Sequence, residues 1–265
     1  MPCVRKLRLA TNPDMSAPDP IACELLPWDT EFFGCRIARV RGDTLTPQKA
    51  AQVDSWSRGN RIHGLYFLSC SNDSATIRTA EQHGFQLVDV RLTFERALGG
   101  ESEPVRASRS AGTRIRTSQP ADVPALQAVA RAAHRDTRFF GDAHFSPERA
   151  EDLYSTWITL ESQGRAATVF VATVPPDQAV GYISCHLDQD RREGRIGLVG
   201  VDAAVRGRGI GQSLVYAALD WFRNQGVLVA TVVTQGKNRA AQRLYQRCGF
   251  LTRDLQFWYH KWYPN

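Results

Sequence analysis

The sequence predicts an α/β protein with a mixed central sheet flanked by helices, preceded by a smaller α/β region at the N-terminal end. Three observations carry that prediction. From residue 114 onward, short β-branched runs alternate with amphipathic segments of helical period. An apolar run at 195–201 opens into a glycine-rich turn and then into another amphipathic segment. Residues 78–94 repeat the pattern of residues 243–257: helix, glycine cap, strand.

Residues 97–113 carry Gly-Gly, Glu-Ser-Glu-Pro and Ala-Ser-Arg-Ser-Ala-Gly with almost nothing apolar after Leu98, the composition of a linker. The reading is therefore a non-catalytic domain at 1–97, a linker at 98–112 and a second domain at 113–265. Beyond the linker, 114–117 reads as a strand and 121–133 as a helix opened by Asp122. Residues 147–163 read as a helix with Ser146 as cap and Glu148 in its first turn. Residues 169–174 and 179–187 form a hairpin around Pro175-Pro176-Asp177-Gln178, and 195–201 is the strand that feeds the glycine turn. Residues 228–234 are a β-branched run, 238–250 an amphipathic helix closed by Gly249, and 255–262 an aromatic terminal strand. On that helix Ala241, Leu244, Tyr245 and Cys248 share one face.

The 265 residues have ordinary apolar and charged fractions, enough for one large core or two modest ones. The opening nonapeptide is too charged for a secretory leader and no run is long enough to span a bilayer, so a cytoplasmic protein without membrane insertion is expected. Six scattered cysteines, Cys3, Cys23, Cys35, Cys70, Cys185 and Cys248, show no ligand spacing; they read as reduced thiols, with no metal. The net charge of +6 comes mostly from arginines dispersed along the chain, with only Lys6, Lys49, Lys237 and Lys261 as lysines. That dispersion favours anionic small molecules over nucleic acid as partners.

Residues 201–214 are the most chemically informative stretch. Gly207, Gly209 and Gly211 leave backbone N–H groups bare, the following helix adds unpaired N–H groups and the positive end of its dipole, and Arg206 and Arg208 add full charges. Such a turn cradles a pyrophosphate. It lacks the Gly-Lys-Ser/Thr of a P-loop, and its glycines fall at every second position, unlike the dinucleotide fingerprint.

The form Arg-Gly-x-Gly-x-Gly after a strand resembles the acetyl-CoA signature of the GNAT superfamily of N-acetyltransferases, and the order of elements from 114 onward is similar to that family's order. The resemblance implies a GNAT fold over 113–265 and acetyl-CoA as cosubstrate, held by Val199, Val201, Arg206, Gly207, Arg208, Gly209, Ile210, Gly211, Gln212 and Asn238. It also implies that Tyr245 lies beside the thioester sulfur. A phenol there suits protonation of the departing thiolate. A backbone N–H near Val199 would polarise the thioester carbonyl. Many members carry a glutamate base on this strand, where this chain has Arg195; Glu193, Asp136 and His134 stay open and no base is assigned.

Residues 26–34, Leu-Pro-Trp-Asp-Thr-Glu-Phe-Phe-Gly, resemble a stretch that precedes the acetyltransferase domain in enzymes acting on nucleotide-linked amino sugars, the dTDP-fucosamine acetyltransferase group. Residues 134–145 look like that group's acceptor-contact segment, which makes Phe33, Asp136, Arg138 and Phe139 the acceptor-binding candidates. The implied acceptor is a dTDP-4-amino-4,6-dideoxyhexose used in surface polysaccharide synthesis, with a homodimer compatible with the reading. The alternatives are another small amine, such as an aminoglycoside or amino acid, or a non-catalytic acyl-CoA-binding module. Trp28, Phe32 and Phe33 serve equally as staples between the two regions.

Overall fold

A computed structural model describes residues 22–99, 112–190 and 192–264. The opening nonapeptide, Cys3 and most of the linker at 98–112 lie outside the described residues. The first part of the chain runs β1 (Cys23–Leu25), α1 (Pro27–Phe33), β2 (Ile37–Val40), α2 (Pro47–Gly59), β3 (Gly64–Cys70), α3 (Ser74–Gln82) and β4 (Gln86–Ala97). The second runs β5 (Arg114–Thr117), α4 (Val123–Ala133), α5 (Arg138–Gly141), α6 (Pro147–Leu160), β6 (Thr168–Val174), β7 (Gln178–Asp188) and β8 (Glu193–Val201). It continues through α7 (Ile210–Asn224), β9 (Val229–Gln235), α8 (Arg239–Arg247) and β10 (Leu251–Trp262).

Local chemistry sets these bounds. Ser146 Oγ accepts the Arg149 N–H at the start of α6. Asp122 accepts the Gln119 N–H and both terminal nitrogens of Arg116, fixing the entry to α4. Asn238 caps α8, and Gly249, at φ +78°, ends it in the left-handed conformation. α6 runs on into a π-helical turn, Glu161–Arg165.

The ten strands among the described residues form one sheet in the order β1-β2-β3-β10-β4-β9-β8-β7-β6-β5. β4, from the N-terminal part, lies between β9 and β10, and β10 reaches across to β3. A division at 98–112 thus cuts the sequence but not the sheet. The internal echo also goes further than the helix-glycine-strand match suggested. β2-α2-β3-α3-β4 and β8-α7-β9-α8-β10 are the same series, a parallel pair joined by a helix, then a helix and an antiparallel strand. The two repeats exchange their last strands.

One face of the central sheet packs on α7 and α8 through Phe94, Ile196, Val232, Leu214, Phe222 and Tyr245. The opposite face lies under α4 and α6, with Tyr182, Leu126, Leu153 and Phe139 in its core. Five cysteines among the described residues are free thiols. No helix among those residues is long and apolar enough to cross a membrane.

The site is prepared by a parting of two strands. β8 and β9 pair only from Glu193↔Val229 to Ile196↔Val232. Past that point β8 stays with β7 alone, and a bulge between Ile183↔Val199 and Cys185↔Ile196 bends it away. A wedge opens between β8 and β9.

Candidate active site

The edge of β8 that faces the wedge keeps its hydrogen-bonding groups. Leu198 donates its N–H to Ser184 Oγ at 2.8 Å and Asp202 donates to the Val180 carbonyl at 2.8 Å, both toward β7. Successive N–H groups of an extended strand point to opposite edges, so those of Val199 and Val201 face the wedge. The loop beyond is pinned by Arg206, whose Nε–H donates to the Val201 carbonyl at 3.0 Å, and by Asp202, whose carboxylate accepts the Ala204 N–H.

Gly207 and Gly209 take φ of +79° and +81°, and a Cβ on either would meet nothing within 4 Å. The turn therefore needs glycine for its conformation and is open on the outside. α7 begins on Gly209 with no side-chain cap, and Ser213 is the first residue whose N–H reaches back, to the Gly209 carbonyl at 3.0 Å. The N–H groups of Ile210, Gly211 and Gln212 make up its unpaired first turn. Gly211 has a second role, because a Cβ there would lie 3.3 Å from Leu244 of α8. Arg206 and Arg208 are exposed beside the turn. An open cluster of N–H groups with two guanidinium groups fits the pyrophosphate of acetyl-CoA.

Tyr245, on α8, lies in the core on the α7/α8 face of the sheet. Its ring packs against Phe94 and Phe250 with centroids 6.1 and 5.9 Å away, and the residue is 4% exposed. Burial pushes its pKa above that of a free phenol, so it carries its proton at neutral pH. Asn238 Oδ1 is spent on the Ala241 N–H at 3.0 Å, which leaves the side-chain NH2 as the group available to a ligand.

On the opposite face Arg138 is held with unusual completeness. Its guanidinium lies 4.3 Å from the ring centroids of Tyr66, Phe139 and Trp258. Nη1 is 3.0 Å from His260 Nε2, and His260 Nδ1 is 2.6 Å from Asp142 Oδ2. Burial lowers the His260 pKa to about 4, so the imidazole is neutral, donating from Nδ1 to Asp142 and accepting at Nε2 from Arg138. Burial alone would raise Asp142, but bonds from His260, His144 and Trp262 hold it well below the carboxylate range. Burial raises the nearby Asp29 and Asp89, the latter to about 6 although Lys237 and Arg138 oppose it.

Other expected acceptor residues divide. Asp136 is exposed on the turn before α5. Phe139 is 2% exposed, so it supports Arg138 from beneath and offers no surface to an acceptor. Phe33 packs on Phe139 and Phe145 at 5.5 and 4.5 Å, with its edge in a surface cleft shared with His144 and Trp262. Trp28 stacks on Phe32 at 5.0 Å and meets Trp157 at 6.2 Å, stapling α1 to α6.

The open candidates for a base lie away from the wedge or are already engaged. Glu193 accepts from the Thr231 hydroxyl at 3.0 Å and lies 3.4 Å from Arg253, on the stretch where β8 and β9 are still paired. His134 stacks on Tyr154 at 4.5 Å with Nε2 2.8 Å from the Tyr182 hydroxyl, and burial lowers its pKa to about 4. Sequence reasoning passed over His186 and Glu161. The signal for the first is the alternation of Tyr182, Ser184 and His186, a polar stripe within an apolar strand. Among the described residues no group of three or more His, Cys, Asp or Glu side chains could hold a metal ion.

Residues 129–250 match the acetyltransferase (GNAT) family. The chain is 27% identical over 243 residues to dTDP-fucosamine acetyltransferase of Escherichia coli O6:H1, covering 90% of this chain and 97% of that protein. It is 30% identical over 144 residues to the spore coat polysaccharide biosynthesis protein SpsD of Bacillus subtilis, spanning 54% of this chain and 49% of that one. A GCN5-related N-acetyltransferase from Sphaerobacter thermophilus shares the fold, with a TM-score of 0.67 and 19% identity over 91% of this chain and 76% of that one. The family match takes in the wedge, the glycine turn and Tyr245 together, and residues 129–250 form a GNAT acetyltransferase domain.

Proposed function

We propose that the protein moves the acetyl group of acetyl-CoA directly to the amino group of a nucleotide-linked amino-deoxy sugar of the dTDP-4-amino-4,6-dideoxyhexose type. The observation that carries the acceptor class is Arg138. Among the described residues no carboxylate lies within ion-pair distance of it, and three rings and His260 fix its plane. A preorganised guanidinium with unspent donors suits a diphosphate, and the partly desolvated carboxylates of Asp29 and Asp89 suit an amine. Similarity along nearly the whole length of dTDP-fucosamine acetyltransferase supports the same class.

Acetyl-CoA supplies the acetyl group as a thioester. Residues 207–212 with Arg206 and Arg208 bind its pyrophosphate. The Val201 N–H takes the arm that follows, and the Val199 N–H polarises the carbonyl oxygen. Tyr245 gives its proton to the departing sulfur. Both substrates are water-soluble metabolites, which suits a cytoplasmic enzyme.

Released thiol, followed with acetyl-CoA and a panel of amines, tests the acceptor. A dTDP-linked 4-amino-4,6-dideoxyhexose should be acetylated on nitrogen, with kcat/KM at least about 10²-fold above the free amino sugar, because nucleotide and diphosphate supply remote binding energy. Arg138→Ala should weaken only the nucleotide-linked substrate. Equal turnover of free amino sugars, aminoglycosides or amino acids would overturn the acceptor class and leave the acetyl transfer standing.

A further inference from the structure

The residue directly across from Arg195 in the β7/β8 register is His186. Tyr182, Ser184 and His186 alternate along β7, and Tyr182 lies in the core beneath α4 and α6, which puts His186 on the acceptor face. The imidazole leans toward the bulge of β8. A Cβ on Gly197 would lie 2.8 Å from its Nε2 and 2.6 Å from Ser184 Oγ, so only glycine at 197 admits this approach. Gly197 is the first residue past the last β8/β9 pair, at the apex of the wedge.

Beside the ring stands Glu161, the first residue of the π-helical turn, with Oε2 2.7 Å from His186 Nε2. Glu161 is 7% exposed, and Oε2 is close enough for an ion pair yet makes no aligned hydrogen bond. The cation nearby, Arg165, is 3.9 Å away with its side chain mostly in solvent. Burial by itself would raise Glu161, but His186, Ser184 and Arg165 hold it below the usual range, and it is ionised at neutral pH. A proton arriving on the imidazole beside this buried carboxylate gives it a close countercharge.

We infer that His186 is the general base of the acetyl transfer, with Glu161 as the residue that orients it and stabilises its protonated form. The base has moved one strand over from the family's position. The amine nitrogen forms its bond to the thioester carbonyl carbon and loses a proton to His186. The carbon–sulfur bond breaks, its electron pair leaves on sulfur, and sulfur takes the proton of Tyr245. One proton is collected on the acceptor face and one delivered from the α7/α8 face. The charged groups facing the imidazole are Glu161 and Arg165 from the π-helical turn and Arg195 from β8, with the Asp188–Glu193 pair two residues further along.

The assignment rests on acetyl transfer and not on which amine is the acceptor. It is therefore tested with whichever amine of the panel above the wild-type enzyme acetylates fastest. His186→Gln should lower kcat about 10²–10⁴-fold with acetyl-CoA affinity unchanged. It should also abolish the acid limb of the kcat–pH profile, along which wild-type activity rises as the base loses its proton. His186→Ala should recover activity when imidazole is added. Glu161→Gln should lower kcat less and shift the acid limb without removing it. A His186→Gln enzyme with kcat within about threefold of wild type, or one whose acid limb persists, overturns the assignment.

Discussion

The loop after β2 and the loop after β8 occupy the same place in the two repeats, each leading from a parallel strand into a crossover helix, and they present opposite polarity. After β8 the turn shows unpaired N–H groups, and α7 begins on a bare glycine. After β2 the carbonyls turn inward instead: Lys49 Nζ donates to the Arg41 and Thr44 carbonyls, both at 2.7 Å. The donors of that loop are also spent, Leu45 N–H on Thr76 Oγ1 at 2.9 Å and Lys49 N–H on Thr46 Oγ1 at 3.2 Å. A bond from the Cys70 N–H to the Asp43 carbonyl at 3.1 Å ties the end of β3 to the loop, where β8 and β9 simply part. The topology is shared. Binding depends on which backbone groups are left without partners.

The sharpest way to break this comparison is at the proposed acid. Tyr245 has Ala80 as its counterpart in the first repeat, a fully buried methyl with no chemistry. Tyr245→Phe should lower kcat about 10²–10⁴-fold with acetyl-CoA affinity unchanged, since the hydroxyl acts as the sulfur gains charge. Full kcat would show that the thiolate leaves without it.

Next in size is a matched pair of aspartates. Gly209→Asp sets a carboxylate where nothing stands within 4 Å. By calorimetry the acetyl-CoA Kd should rise by about 10²-fold or more, the worth of one or two charge-assisted bonds, with the circular dichroism unchanged. Gly42→Asp, whose Cβ would lie 3.5 Å from Lys49 Nζ, should leave that Kd unaltered. Equal losses in the two variants would erase the distinction between the loops.

The smallest effect belongs to Lys49. Lys49→Met removes two hydrogen bonds from a partly exposed loop, and a denaturant titration should show a loss of about 1 kcal/mol with acetyl-CoA affinity untouched. A changed affinity would mean that the first repeat communicates with the proposed acetyl-CoA site.

Where the information is local, the sequence was sufficient. Ser146 and Gly249 mark the helix ends where they stand, Asp122 marks the entry to α4, and the spacing of Gly207 and Gly209 after an apolar run announces the turn. The exchange of β4 and β10 was not legible, because each follows the same helix-glycine-phenylalanine signature and either would satisfy the edge of β9. The contact between Arg138 and His260 joins residues 122 positions apart. Glu161 reaches His186 only because α6 relaxes into a π-helical turn. Lys49 escaped notice for the opposite reason: a lone lysine on a helix that starts with proline reads as solvated surface.

The place of β4 also decides what a severed chain would do. The edge of β9 is covered by β4, and β10 is flanked by β3 and β4, so neither residues 22–99 nor residues 112–264 can complete the sheet unaided. A protease that nicks the chain between Gly99 and Gly112 leaves two fragments interlocked by strand ladders, a single particle on a sizing column though two bands on a denaturing gel. During synthesis, β3 and β4 emerge long before β10 can separate them. The nascent chain carries sticky edges through most of translation, and crowding by sister chains is then the hazard its folding has to outrun.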